Sequence, residues 1–102
     1  MPSLLVYHPL VKDEDLPGIP AKARARVMAA LEKRVSAQPA RFGKPLRGTL
    51  QGLWSHRVGD YRIVYAIRGD EVWILRIWHR REVYDHLEAR MRILREVEQA
   101  RD

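Results

Sequence analysis

The sequence contains no cysteine among its 102 residues. This absence excludes disulfide bonds, thiol nucleophiles and cysteine-based metal sites, and it is typical of a reducing compartment, so we expect a cytoplasmic protein. Long apolar runs are also missing. The opening segment MPSLLVYHPLV has no basic stretch before its few apolar residues and no small-residue cleavage site after them, so neither a signal peptide nor a membrane span is predicted.

Acidic side chains are few compared with basic ones. Thirteen Asp and Glu stand against 19 Lys and Arg, for a formal net charge of +6, and residues 41–84 carry nine basic but only four acidic groups. Every basic residue after Gly48 is arginine, whose planar guanidinium suits phosphates and base edges. The charge favours a polyanionic partner. A basic surface that serves only solubility would give the same composition.

The first half of the chain predicts one strand and one long helix. The apolar run Ser3–Tyr7 is typical of a buried strand. Two prolines and a glycine limit Lys12–Pro20 to a short helical turn. The alanine-rich segment that follows predicts a helix beginning at Pro20. Its apolar stripe consists of Val27, Ala30, Leu31 and Val35.

The second half predicts a basic loop over Arg41–Gly52, a three-stranded meander and a final helix over residues 85–102. The three strands, joined by Gly-Asp turns, are Leu53–Val58, Tyr61–Arg68 and Glu71–Trp78. The apolar spacing that predicts the last helix is that of Leu87, Met91, Leu94 and Val97. The expected fold is a single α+β domain over residues 1–102. It has an antiparallel sheet of about four strands, two N-terminal helices packed on it and a C-terminal helix.

Strand alternation predicts that Arg57 and Arg62 project from the same face of the sheet, close to the turn between their strands. Two neighbouring guanidiniums repel each other, which favours an anion between them. The other face, expected to hold the core, carries Tyr61, Ile63, Tyr65 and Ile67.

Residues 78–84 (WHRREVY) bring an imidazole, two guanidiniums, a carboxylate and a phenol to the end of the last strand. Cleavage of RNA requires proton transfer and neutralisation of the charge that develops on phosphate. Candidates for the second task are Arg57, Arg62, Arg80 and Arg81, and candidates for the first are His79, His56 and Tyr84. Tyr84 is equally consistent with a base-stacking platform or a core residue. His56 is predicted to face the core and His79 to bond nearby backbone.

No metal or cofactor site is predicted. The four histidines lack HExxH spacing, and neither a glycine-rich phosphate loop nor a Ser/His/Asp arrangement is present.

The segments GKPLRGTLQGLWSHRVGDYRIVYAI and HRREVYD resemble the RelE family of bacterial toxin–antitoxin toxins, within the RelE/ParE superfamily. The resemblance covers roughly residues 1–86. It implies a microbial-ribonuclease-like fold and a ribosome-dependent endoribonuclease that cuts mRNA in the ribosomal A site by attack of a 2′-OH on the adjacent phosphate, which inhibits translation. It also implies a small cognate antitoxin, usually encoded by an adjacent gene, and a toxin–antitoxin hetero-oligomer.

The resemblance also implies roles for individual residues. Arg62 would bind the scissile phosphate, Arg80 would support it from the last strand, Tyr84 would stack on or orient the 2′-OH side, and Arg57 matches a further basic catalytic position. The expected RNA-binding residues are Lys44, Arg47, Ser55, His79 and Arg81. Ser55 departs from the family pattern, because a basic residue is often found at its position.

Two other functions share this fold. A ParE-like toxin would inhibit DNA gyrase by binding it, although the combination of Arg62, Arg80 and Tyr84 favours the nuclease. A catalytically inactive member, made plausible by Ser55, would bind only nucleic acid or its antitoxin.

Overall fold

The structure, a computed structural model, describes residues 2–101, with side chains described through residue 100. In chain order its elements are β1 (Leu4–Tyr7), α1 (Val11–Asp15 continued by Leu16–Gly18), α2 (Ala21–Ala30 continued by Leu31–Val35), α3 (Pro39–Phe42), β2 (Lys44–Pro45), a single 3₁₀ turn (Gly48–Leu50), β3 (Leu53–Val58), β4 (Tyr61–Arg68), β5 (Glu71–His79) and α4 (Leu87–Arg101). The predicted α+β class is confirmed.

The sheet has five strands in the order β1-β5-β4-β3-β2. β1 runs parallel to β5, and the other neighbours are antiparallel. The first strand therefore joins the sheet beside the last strand of the meander. The expectation that it is buried was wrong, because it lies at the sheet edge, where Leu4 is 64% exposed.

The N-terminal helices differ from the predictions at one point. The stripe of α2 is buried as expected. The stretch Lys12–Pro20, however, holds more than a short turn. A wide turn, closed by the Leu16 N–H on the carbonyl of Val11, leads into a second helical segment. Pro17 lies near the start of that segment, where its lack of an N–H removes one backbone donor.

The predicted basic loop Arg41–Gly52 is in fact partly ordered into α3, β2 and the 3₁₀ turn. Close packing explains this order. Tyr65 Oη donates a hydrogen bond to the carbonyl of Pro39 at 2.7 Å. A Cβ at Gly43 would lie 2.0 Å from Tyr65 Oη, so only glycine fits between α3 and β2.

Both faces of the sheet are buried, whereas the sequence predicted a core on one. The back face, which carries Ile63 and Tyr65, packs against α1 and α2. The front face, which carries Val64 and Leu75, packs against Val83 and the apolar side of α4. The front core includes Leu87 and Leu94, and Met91 and Val97 are partly buried against it.

The C-terminal helix begins at Leu87, not at residue 85. Turns occupy residues 80–86 and end at His86, whose φ of 59° is left-handed and cannot continue a helix. Residue 102 lies outside the described residues. Within residues 2–101, no helix combines the length and apolar character needed to cross a membrane.

Candidate active site

The β3–β4 hairpin brings two arginines together at one end of the front face. Arg57 and Arg62 are directly opposed in the antiparallel register, as alternation predicts. Arg57 is exposed, and its Nε donates to the carbonyl of Gly59 at 3.0 Å. Arg62 is half-buried, and its buried Nε has no hydrogen-bond partner in the described part of the chain. A half-buried guanidinium with no carboxylate partner among the described residues is suited to receiving an anion at its accessible side.

Tyr84 reaches this hairpin from the turns that precede α4. Arg62 Nη1 donates to Tyr84 Oη at 3.4 Å, and Tyr84 Oη donates to Ser55 Oγ at 3.3 Å. The neighbouring Val83 is fully buried and anchors this turn on the sheet. Two residues of the hairpin and one of the later turns therefore form one hydrogen-bonded cluster, hereafter the Arg62–Tyr84–Ser55 cluster.

Lys44 borders the same cluster through the short strand β2. It pairs directly with Ser55, so the two side chains share the front face. Lys44 is exposed and forms no ion pair with any residue of the described chain. Arg47, the other predicted loop residue, is exposed and makes none of the cluster's hydrogen bonds.

Arg80 lies just beyond β5, not on the last strand as the resemblance implied. Its N–H donates to the carbonyl of Asp60 at 2.8 Å, and its Nε lies 4.0 Å from the carboxylate of Asp60. This contact places Arg80 over the β3–β4 turn, beside the end of the hairpin that carries Arg57 and Arg62. Arg81 follows it and is exposed.

The two candidate histidines do not form a catalytic pair. They lie on β3 and β5, with β4 between them. His56 Nδ1 lies 2.9 Å from the carbonyl of Phe42, and its Nε2 accepts from Arg34. His79 Nδ1 accepts the N–H of Arg81 at 3.4 Å, as predicted for a backbone partner, while its ring edge meets Tyr61 on the back face.

Arg76 was missed by the sequence analysis. Val64 pairs with Arg76 and Tyr65 with Ile74, so Leu75 is an extra residue in β5, a β-bulge. The bulge puts Leu75 and Arg76 on the same face. Arg76 Nη1 donates to the carbonyl of Asp85, directly after Tyr84, and its buried Nε has no partner in the described chain. Arg76 interrupts the apolar run 72–78, and a charge inside such a run was the available signal.

The arrangement is strongly cationic and has little acidic compensation. Within the described residues, only Arg80 among the site's arginines has a carboxylate within ion-pair distance. No three His, Asp or Glu side chains of that part come together as a metal site. The site can therefore offer guanidiniums to a phosphate and present a phenol beside them.

Sequence comparison gives three likenesses. A family model described as "ParE toxin of type II toxin-antitoxin system, parDE" matches residues 6–84. Toxin RelG of Mycobacterium tuberculosis is 40% identical over 72 residues, which cover 69% of this chain and 83% of that protein. Toxin RelE of the same organism is 47% identical over 53 residues, which cover 52% of this chain and 55% of that protein.

Structural comparison agrees. The toxin–antitoxin complex RelBE2 of Mycobacterium tuberculosis matches with a TM-score of 0.73 and 35% identity, covering 78% of this chain and 100% of that one. The RelB–RelE antitoxin–toxin complex of Methanococcus jannaschii matches with a TM-score of 0.60 and 28% identity, covering 81% of this chain and 96% of that one. The match over most of the β-sheet core and the site, in sequence and in fold, shows that this chain belongs to the RelE/ParE family of type II toxin–antitoxin toxins.

Proposed function

We propose that this chain is a ribosome-dependent endoribonuclease that cleaves translated mRNA in the ribosomal A site and so inhibits translation. The observation that carries the proposal is the Arg62–Tyr84–Ser55 cluster, in which a half-buried guanidinium with no carboxylate partner among the described residues donates to a phenol. Cleavage of RNA by its own 2′-OH needs these elements: a cation for the phosphate and a polar group beside the nucleophile.

In this mechanism Arg62 binds the scissile phosphate and stabilises the charge that builds up as the 2′ oxygen attacks phosphorus. The 2′-OH gives up its proton to water as the new 2′-O–P bond forms, and the 5′ oxygen takes a proton from water as the 5′-O–P bond breaks, which leaves a 2′,3′-cyclic phosphate and a 5′-hydroxyl. Tyr84 orients the 2′-OH side. Arg57 and Arg80, on either side of the β3–β4 turn, add positive charge around the phosphate.

Ser55 gives the cluster a neutral side chain where a basic one is often found. It is 4% exposed and accepts the hydrogen bond of Tyr84. Lys44 pairs directly with it across β2 and β3, so an ammonium group can reach the same place from the neighbouring strand. The departure at residue 55 is therefore compatible with an active enzyme. Contacts to the remaining message fall to Arg47, His79 and Arg81.

The partners of the proposed enzyme are the ribosome with its mRNA and a small antitoxin. Two of the similar solved structures are toxin–antitoxin complexes. The cationic front face suits an antitoxin segment that is acidic enough to neutralise it. We expect the two chains to form a hetero-oligomer in the cytoplasm.

Gyrase inhibition is the second candidate, because the matching family model is named for ParE. The names of the curated relatives, RelG and RelE, support the nuclease instead. A gyrase inhibitor, which acts by binding a protein, would also have no use for a phosphate-binding guanidinium beside a phenol.

Primer extension in a bacterium that expresses the chain tests the proposal. We expect cuts at in-frame codon positions of a reporter mRNA, and no cuts when the start codon is removed. Arg62→Ala should abolish the cuts, whereas Arg92→Ala, an exposed change on α4, should preserve them. Growth arrest with intact message would contradict the proposal and point to gyrase, and no arrest would point to an inactive binder.

A further inference from the structure

We propose a second RNA-binding site, a cationic groove on the outer side of β3 that takes the sugar–phosphate backbone of the RNA held at the active site. The inference rests on the proposed function for the identity of its ligand. The groove lies between α2 and the β3–β4 turn. It is lined by Arg26, Ala29, Arg34, His56, Arg57, Val58 and Gly59.

The charge of this groove is unbalanced. Its three arginines come from two elements, and none has a carboxylate within ion-pair distance in the described part of the chain. Arg26 and Arg34 are eight residues apart along α2, which corresponds to about 12 Å along a helix axis. A single small anion cannot bridge that separation, so the groove suits an extended polyanion.

Two contacts hold the guanidiniums in place. Arg34 Nε donates to His56 Nε2 at 3.3 Å, and His56 is itself fixed by the carbonyl of Phe42, so the terminal nitrogens of Arg34 stay available. Arg57 Nε donates to the carbonyl of Gly59 at 3.0 Å. Groups fixed before binding lose less entropy when a ligand arrives.

The lining favours RNA over an acidic protein segment. Protein interfaces draw most of their affinity from large aromatic or aliphatic anchors in pockets. This groove offers only Ala29 and Val58 as apolar lining. Guanidinium groups, in contrast, match phosphates directly.

Arg57 links the groove to the active site. It lines the groove, and it also pairs with Arg62 on the front face. An RNA strand bound at Arg62 can therefore continue past Arg57, around the exposed end of β3, and onto α2.

The test compares two double variants of the same helix that remove the same charge. Arg26→Ala/Arg34→Ala removes the two groove arginines that lie on α2, and Lys22→Ala/Lys33→Ala removes two exposed lysines outside the groove. The probe is a single-stranded RNA of about 12 nucleotides, within the range that such grooves track, made uncleavable by 2′-O-methyl groups. Binding is measured between about 50 and 200 mM salt, since phosphate contacts are salt-dependent.

We expect the arginine variant to bind the probe at least about tenfold more weakly than the parent chain. The magnitude of the slope of log K against log salt concentration should fall by about 1.4, the change expected when two phosphate contacts to a single strand are lost. The lysine variant should change the Kd by less than about threefold. The proposal would be overturned if both variants lost the same amount of RNA affinity, or if the arginine variant bound the probe as tightly as the parent chain. Because the probe cannot be cut, this result is independent of whether the chain cleaves mRNA.

Discussion

Ser55 shows how a single side chain shapes the proposed chemistry. It is small and buried, and it accepts the hydrogen bond of Tyr84. The phenol is thereby held against Arg62. A long basic side chain at residue 55 would compete for the space that Tyr84 occupies. The missing charge is available from Lys44, which is directly opposite.

Lys44→Ala should therefore lower mRNA cleavage by about tenfold, the effect of losing one charge-assisted contact of about 1.4 kcal/mol. Cleavage rates on ribosomes programmed with mRNA provide the measurement. Lys22→Ala is the matched control, because it removes an exposed lysine far along the chain on α2. Equal rates for the two variants would show that Lys44 does not serve the site.

Tyr65 gives stability a dependence on alkaline pH. Burial raises the pKa of Tyr65 from 10.0 to about 12. The unfolded chain thus loses this proton first, and the stabilisation, complete below pH 10, is lost as pH rises toward 12. The free energy of unfolding should fall by about 2–3 kcal/mol over that interval.

Urea unfolding of the parent chain and of Tyr65→Phe measures this effect. Near neutral pH the variant should be less stable by about 1 kcal/mol, since it lacks the hydrogen bond to Pro39. The difference should shrink and then reverse as pH rises from 10 to 12. A constant difference would contradict the assigned role of Tyr65.

Among the secondary-structure elements, β5 carries the feature that most affects the site. Its bulge at Leu75 shifts the alternation, so Arg76 faces the front core instead of the back. There Arg76 binds the carbonyl of Asp85, next to Tyr84. The bulge thus links the strand to the turn that delivers the phenol.

Replacing Arg76 by Ala should slow cleavage about tenfold through misplacement of Tyr84, an effect of about 1.4 kcal/mol. Because the message is held mainly by other arginines, the loss should fall on kcat with little change in KM. Single-turnover cleavage on programmed ribosomes measures the rate of the chemical step separately from binding of the message, and Arg92→Ala is the control. A loss confined to KM would instead make Arg76 an RNA contact.

The elements that the sequence predicted well are those with regular local patterns. The register that opposes Arg57 and Arg62 follows from a tight turn and strict alternation, and the stripe of α2 follows from helical spacing. Three features depended on distant contacts and were missed or misplaced. They are the bulge in β5, the two-residue strand β2 and the start of α4.

At the scale of the whole molecule, a buried ion pair connects elements that are far apart in the sequence. Asp15 of α1 accepts two hydrogen bonds from Arg90 of α4, at 2.5 and 2.9 Å. Asp15 also accepts the N–H of Ile77, and Arg90 also donates to the carbonyl of Leu75. The pair therefore satisfies backbone groups on both sides of the bulge and joins α1, β5 and α4.

Asp15→Asn should destabilise the fold by about 3–5 kcal/mol, because it leaves the buried Arg90 with only the exposed carboxylate of Glu14, 3.8 Å away, as a counter-charge. Glu98→Gln, which breaks the exposed pair with Arg68, should cost less than about 1 kcal/mol. Urea unfolding measures the free energy of unfolding of both variants. Asp15→Leu/Arg90→Met should recover part of the loss, since an apolar pair needs no counter-charge. Equal effects of Asp15→Asn and Glu98→Gln would refute the role assigned to the pair.

The most direct test of the central claim follows the 2′ oxygen that the proposed mechanism uses as nucleophile. Purified chain is added to ribosomes programmed with an mRNA whose A-site nucleotide carries either a 2′-OH or a 2′-H at the cleavage position. We predict a 2′,3′-cyclic phosphate end from the first message, no product from the second, and no product from either with Arg62→Ala. Cleavage of the 2′-deoxy message, or an intact 2′-OH message with gyrase supercoiling inhibited in parallel, would contradict the account.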